Sequence, residues 1–122
     1  MIDLSFVNTW PSDLVLAPIY RKGASMLSGR KATGKNPLEE SYERDFCPAD
    51  VILACQRNPD LQAVGIFTGI RGKGIVILDV DKNLRKLLKT WGNTLEGAPV
   101  ITSTKDNAAK YLFRVPENLW SL

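Results

Sequence analysis

The chain has no histidine. That removes Ser-His-Asp and Cys-His nucleophilic chemistry, imidazole acid–base catalysis and His-ligated metals in one step. Cysteine is nearly as scarce: Cys47 and Cys55 are the two present. They are too few for a disulfide framework or a four-ligand zinc site. No apolar run approaches the roughly 20 residues of a membrane span. The start, Met1-Ile2-Asp3-Leu4, has no basic region ahead of an apolar core, so no signal peptide is expected. With thiols this sparse, a cytoplasmic, reducing location is the expectation, with no membrane partner. What remains is a chain of 122 residues, expected to be one domain over 1–122, with ordinary hydrophobic (44%) and charged (24%) fractions.

The net charge is +3, unevenly placed. Arg21, Lys22, Arg30, Lys31 and Lys35 follow one another with no acid among them, interleaved with Gly23, Gly29 and Gly34. Such a block suits phosphate or nucleic-acid contact; a solvated mobile loop has the same composition. Gly29-Arg30-Lys31-Ala32-Thr33-Gly34-Lys35-Asn36 approaches P-loop spacing. Asn36 stands where a Ser or Thr should hold magnesium, Pro37 follows, and no apolar strand precedes it. A P-loop is therefore rejected.

The organising stretch is Gly74-Ile75-Val76-Ile77-Leu78-Asp79-Val80-Asp81. Alternation in a strand puts Asp79 and Asp81 on one face, and apolar residues on both faces before them predict a central, doubly covered strand. Two carboxylates so spaced can converge on divalent ions. A plainer reading has Asp81 capping a helix from Lys82, with Asp79 merely exposed at the strand end.

Around it, 14–20 reads as a strand with Pro18 at an edge or bulge. Residues 21–37 form a long loop and 38–46 a short helix. Pro48 to Arg57 is a helix with Pro48 in its first turn and Asp50 complementing its dipole, stopped by Asn58-Pro59. Ala63 to Thr68 is a strand. Gly69, Gly72 and Gly74 form a turn whose N–H groups could meet a phosphate, and 75–80 is the second arm of that hairpin. Lys82 to Leu95 is a helix with Leu84, Leu87, Leu88, Trp91 and Leu95 in one stripe. Strands at 99–103 and 110–115 close the list. This order indicates an α+β fold, with helices packed on a mainly antiparallel sheet.

Several of these pieces together resemble the primase–polymerase domain of the archaeo-eukaryotic primase superfamily, as in the N-terminal domain of bifunctional DNA primase/polymerases. The residues carrying the resemblance are Lys35-Asn36-Pro37, Ala63-Val64-Gly65-Ile66-Phe67-Thr68-Gly69, Ile77-Leu78-Asp79-Val80-Asp81, and Pro99-Val100-Ile101-Thr102-Ser103 through Lys110-Tyr111-Leu112-Phe113. They run in family order from about Leu14 to Pro116, and Gly65 to Asp81 is the specific part.

The resemblance implies an RRM-like core with an N-terminal αβ module, in a DNA-replication nucleotidyltransferase. Asp79 and Asp81 would be catalytic and metal-binding, holding two Mg2+ or Mn2+ ions that activate a primer 3′-hydroxyl. Lys35, Arg71, Lys73, Ser103 and Lys110 would bind nucleotide phosphates, with Lys110 standing where the family has histidine. Arg30 and Lys31 would contact nucleic acid. The partners implied are template, primer, a nucleoside triphosphate and a fused or associated helicase, this chain being a fragment of a larger replication protein. Asn107-Ala108-Ala109 replaces the family's Gly-Gly, and no third carboxylate fits before Leu122. Those departures leave open a non-catalytic nucleic-acid- or nucleotide-binding module degenerated from that fold. A different Asp-x-Asp enzyme, a glycosyltransferase or phosphohydrolase, is the third reading.

Overall fold

A computed structural model describes residues 3–102 and 105–121. The α+β expectation holds, with two α-helices and antiparallel strands. The strands divide into two sheets, and backbone packing divides the chain into two units, Met1–Phe67 and Thr68–Leu122.

The first unit is built on strand β1 (Leu16–Tyr20), antiparallel to β2 (Leu61–Ile66). Helix α1 (Pro48–Arg57) packs on both strands. It begins and stops where the sequence expects. Asp50 accepts the Cys47 N–H at 3.0 Å, which satisfies one of the orphan donors at the helix start. Phe46, Leu16, Val7 and Val51 fill the centre of this unit with no appreciable exposure. Pro18 is tolerated because of its place in the ladder. The N–H groups of Leu16 and Tyr20, on either side of it, point away from β2 to the carbonyls of Phe46 and Asn36. On that side β1 meets only isolated bridges, to Phe46 and Pro37, so one missing donor breaks no continuous strand pair. The short helix expected over 38–46 is a single 3-10 turn, Glu39–Tyr42.

The second unit is a three-stranded antiparallel sheet in the order β3 (Ile75–Val80), β5 (Ala109–Arg114), β4 (Val100–Thr102). The β4–β5 hairpin matches the sequence reading. Two expectations about the acidic strand do not. β3 pairs with β5, not with β2, so 61–66 and 75–80 are not arms of one hairpin. β3 is also an edge strand, with Val76 and Leu78 exposed, not a central strand covered on both sides. Its apolar run resembles that of a buried parallel strand, and composition cannot tell the two apart.

Helix α2 (Leu84–Leu95) packs through Leu84, Leu87 and Leu95 on Val80, Ala109, Tyr111 and Phe113. The expected five-residue stripe is split: Leu88 and Trp91 stay exposed. Asp81 does not cap this helix. Its first turn is satisfied from a distance by Asn107, whose backbone carbonyl accepts the Leu84 N–H at 3.1 Å and whose Oδ1 accepts the Arg85 N–H at 2.7 Å. Asn107 adopts φ +60°, the left-handed turn conformation that asparagine tolerates, to do this. Among the described residues no helix is long and apolar enough to cross a membrane.

Candidate nucleic-acid interface

The end of β3 brings together three of the residues expected at a site. Asp79 and Lys110 are directly opposed across the β3–β5 ladder, and the Lys110 Nζ donates to Asp79 Oδ1 at 3.0 Å. Two residues on, Lys105 Nζ donates to Asp81 Oδ1 at 2.8 Å. The hydrogen bond and charge of Lys105, with smaller help from Lys82 and Lys110, hold the Asp81 carboxyl below the usual carboxylate range.

This arrangement overturns the nucleotidyltransferase reading and its Mg2+ or Mn2+ cofactors. A catalytic cation needs several oxygen donors converging on it. Among the described residues no group of three or more His, Cys, Asp or Glu side chains is placed to hold a metal ion. Asp79 and Asp81 do not make up the deficit, because each is already charge-matched by an ammonium group. The metal-binding and catalytic assignments of Asp79 and Asp81 are therefore withdrawn. Their role in this geometry is to pair with lysines at the rim of the sheet.

The turn before β3 is also different from expectation. The N–H groups of Gly69, Gly72, Lys73 and Gly74 bond to Ile75, Thr68, Ile70 and Gly69 carbonyls respectively. None of these four is left for a phosphate. Arg71 is half-buried and already partnered, while Lys73 is exposed. Both lie at the opposite end of β3 from Asp79. The four strand steps from Ile75 to Asp79, at about 3.3 Å each, already put about 13 Å between that turn and Asp79. They do not join Lys110 in one site. Ser103 lies outside the described residues.

Arg30, Lys31 and Lys35 belong to the first unit. The segment that carries them is folded into a small hairpin and is not an irregular loop. Ser25 and Lys31 form a bridge, flanked by Gly23 N–H to Ala32 O and Ala32 N–H to Ala24 O, both 2.8 Å. Ala24 and Ala32 are buried beneath it, and Met26 to Gly29 closes the tip. Glu39 clamps this small hairpin: one carboxylate oxygen accepts the Tyr20 hydroxyl at 2.5 Å, the other the Leu27 N–H at 2.8 Å. Asn36 Oδ1 accepts from both the N–H and the hydroxyl of Thr33.

Of the five cations in this segment, Arg21 is tied to Asp60 at 2.8 Å. Lys31 Nζ donates to the Ser25 hydroxyl at 2.8 Å, a neutral partner that leaves its charge uncompensated. Lys22, Arg30, Lys31 and Lys35 are exposed and have no carboxylate partner among the described residues. Lys22 stands beside the Gly34-Lys35 step, since a Cβ on Gly34 would lie 3.6 Å from Lys22 Cβ.

The clamp gives this hairpin a defined response to alkali. Burial, then the hydrogen bond and charge of Glu39, push the Tyr20 hydroxyl up to about 12. A pKa raised on folding means that the stabilisation is complete below pH 10, the ordinary tyrosine value, and is lost as pH rises through about 12. Difference absorbance is expected to show one phenol ionising near pH 12 that disappears in Tyr20→Phe. A titration unchanged by Tyr20→Phe would contradict the clamp. Burial opposes ionisation of Glu39, yet hydrogen bonds from Tyr20, its own backbone and Leu27 win and hold its carboxyl below the ordinary range.

Compared with protein-family models, with curated proteins and with solved structures, the chain finds no match. The primase–polymerase resemblance accordingly stands on its motifs alone.

Proposed function

We propose that this chain is a non-catalytic module that binds nucleic acid through the basic hairpin at 21–37, on a fold degenerated from an RRM-like primase–polymerase core. One observation carries the reading: a hydrogen-bonded, buried-footed hairpin that presents Lys22, Arg30, Lys31 and Lys35 without carboxylate partners among the described residues. Solvated lysines on an ordinary surface need no such scaffold. Four cations on one small hairpin repel one another, and phosphate oxygens in sequence relieve that repulsion while releasing counterions. The β3–β5–β4 sheet with α2 on one face supports the proposed descent. The lysine-paired Asp79 and Asp81 support loss of catalysis from it.

Fluorescence anisotropy with labelled oligonucleotides tests this across roughly 50–200 mM salt. Affinity is expected to fall steeply with salt. The triple variant Arg30→Ala/Lys31→Ala/Lys35→Ala should lower the log–log slope by about three, at roughly one per phosphate contact removed. Asp79→Ala should still bind with a steep salt dependence, since it leaves the hairpin cations in place. Salt-independent binding, or a triple variant indistinguishable from the parent, would refute the reading.

A further inference from the structure

The second unit holds an open groove of about 530 Å3 between the end of β3 and helix α2. That volume lies within the range of small-molecule sites, about 300–1,000 Å3. Its apolar lining comes from Leu78 and Val80 of β3 and Leu87 and Trp91 of α2. Val80 and Leu87 reach on into the core, whereas Leu78 and Trp91 are 40% and 55% exposed. A tryptophan ring left half in water on an amphipathic helix is an uncovered flat surface, and its indole face accepts another aromatic ring.

The rim settles what kind of ring. Lys82 and Lys86 line the groove, are exposed, and have no carboxylate partner among the described residues. The acids beside them do not cancel these charges: Asp79 and Asp81 are paired with Lys110 and Lys105, Lys82 acts on Asp81 only as a weaker neighbouring charge, and two carboxylates face four ammonium groups in all. The groove thus pairs an aromatic platform with surplus positive charge. An apolar peptide would satisfy the ring and strand the lysines near its own apolar side chains. A base carrying its phosphates answers both features.

We propose that this groove takes one base of a single-stranded nucleic acid, stacked on Trp91, with the flanking phosphates held by Lys82 and Lys86. The proposal rests on the reading that the chain binds nucleic acid, and it deepens it by naming the strand state. In a duplex each base is already stacked on its neighbours and cannot reach the indole, while an unpaired strand offers a free face at every residue.

The test compares two oligonucleotides of about 15 residues, oligothymidine and an abasic strand of equal length, on the full chain. Oligothymidine is expected to bind roughly five-fold or more tightly than the abasic strand. Trp91→Ala should erase that difference, and Trp91→Phe should keep most of it. Lys82→Ala/Lys86→Ala should weaken both strands and lower the salt slope by roughly 1.4, at about 0.7 per phosphate contact on a single strand. The Trp91 indole resonance, assigned from Trp91→Phe, should shift with oligothymidine and not with the abasic strand, a readout that does not depend on Trp91→Ala folding. Equal binding of the two strands by the parent would overturn the stacking proposal and leave the basic-hairpin reading standing. Absence of salt-dependent binding to any strand would overturn both. A Trp91-dependent dimer in sedimentation without oligonucleotide would assign the groove to a second copy of the chain instead.

Discussion

Gly74→Ala is expected to destabilise the second unit by about 2–5 kcal/mol, with the loss read by hydrogen exchange over 75–80. Gly74 sits at φ +86°, where a side chain costs roughly 1–2 kcal/mol. It is also a close-approach position: an added Cβ would lie 2.4 Å from Trp120 Nε1 and 2.5 Å from Val115 O. Those atoms are bonded to each other, the indole N–H donating to Val115 O at 2.7 Å, and Val115 N–H in turn donates to Gly74 O at 2.8 Å. Overpacking of this kind adds about 1–3 kcal/mol. Gly97 supplies the control. Its φ is +83°, and a Cβ there would meet nothing within 4 Å. Gly97→Ala should therefore cost only the backbone part, about 1–2 kcal/mol. Equal losses from the two substitutions would show that the Trp120 contact does not constrain Gly74.

Phe46→Ala should cost about 3–5 kcal/mol, the range for deleting a buried aromatic side chain. Phe46 is 1% exposed in the first unit, and the Arg44 guanidinium lies 3.8 Å from its ring centroid. Its carbonyl also accepts the Leu16 N–H at 2.9 Å, so the cavity would open where β1 is anchored. Phe6→Ala, at a ring that is 50% exposed, should cost under about 1 kcal/mol. Against a total stability of roughly 5–15 kcal/mol, the Phe46 loss is large enough to shift a urea midpoint well beyond error. A Phe46→Ala protein with an unchanged midpoint would remove Phe46 from the core of this unit.

The site divides along the same line between local and distant information. The cations of 21–37 were legible because nothing but their own sequence is needed to see five positive charges without an intervening acid. What made them a surface was not legible. Glu39 clamps the hairpin from outside the block, and the Ala24–Ala32 pairing requires the turn between them. The carboxylate pair failed for the opposite reason. Asp79-Val80-Asp81 has the local look of a metal site, but Lys110 and Lys105 lie 31 and 24 residues downstream. Only strand pairing reveals that each carboxylate has an ammonium partner. Trp91 shares its stripe with Leu87 and Leu95, and helical periodicity says which side chains share a face and not which of them the core leaves uncovered.

By itself the sequence determined the α+β class, helix α1 and its stop at Asn58-Pro59, the body of α2 and the β4–β5 hairpin. Each follows from propensity, capping and periodicity within a dozen or so residues. Tertiary structure alone decided that β3 is an edge strand paired with β5, that Asn107 caps α2 and that Asp79 and Asp81 meet lysines. Those outcomes depend on pairings between residues far apart in the chain, for which a run of apolar residues ending in two acids carries no signal.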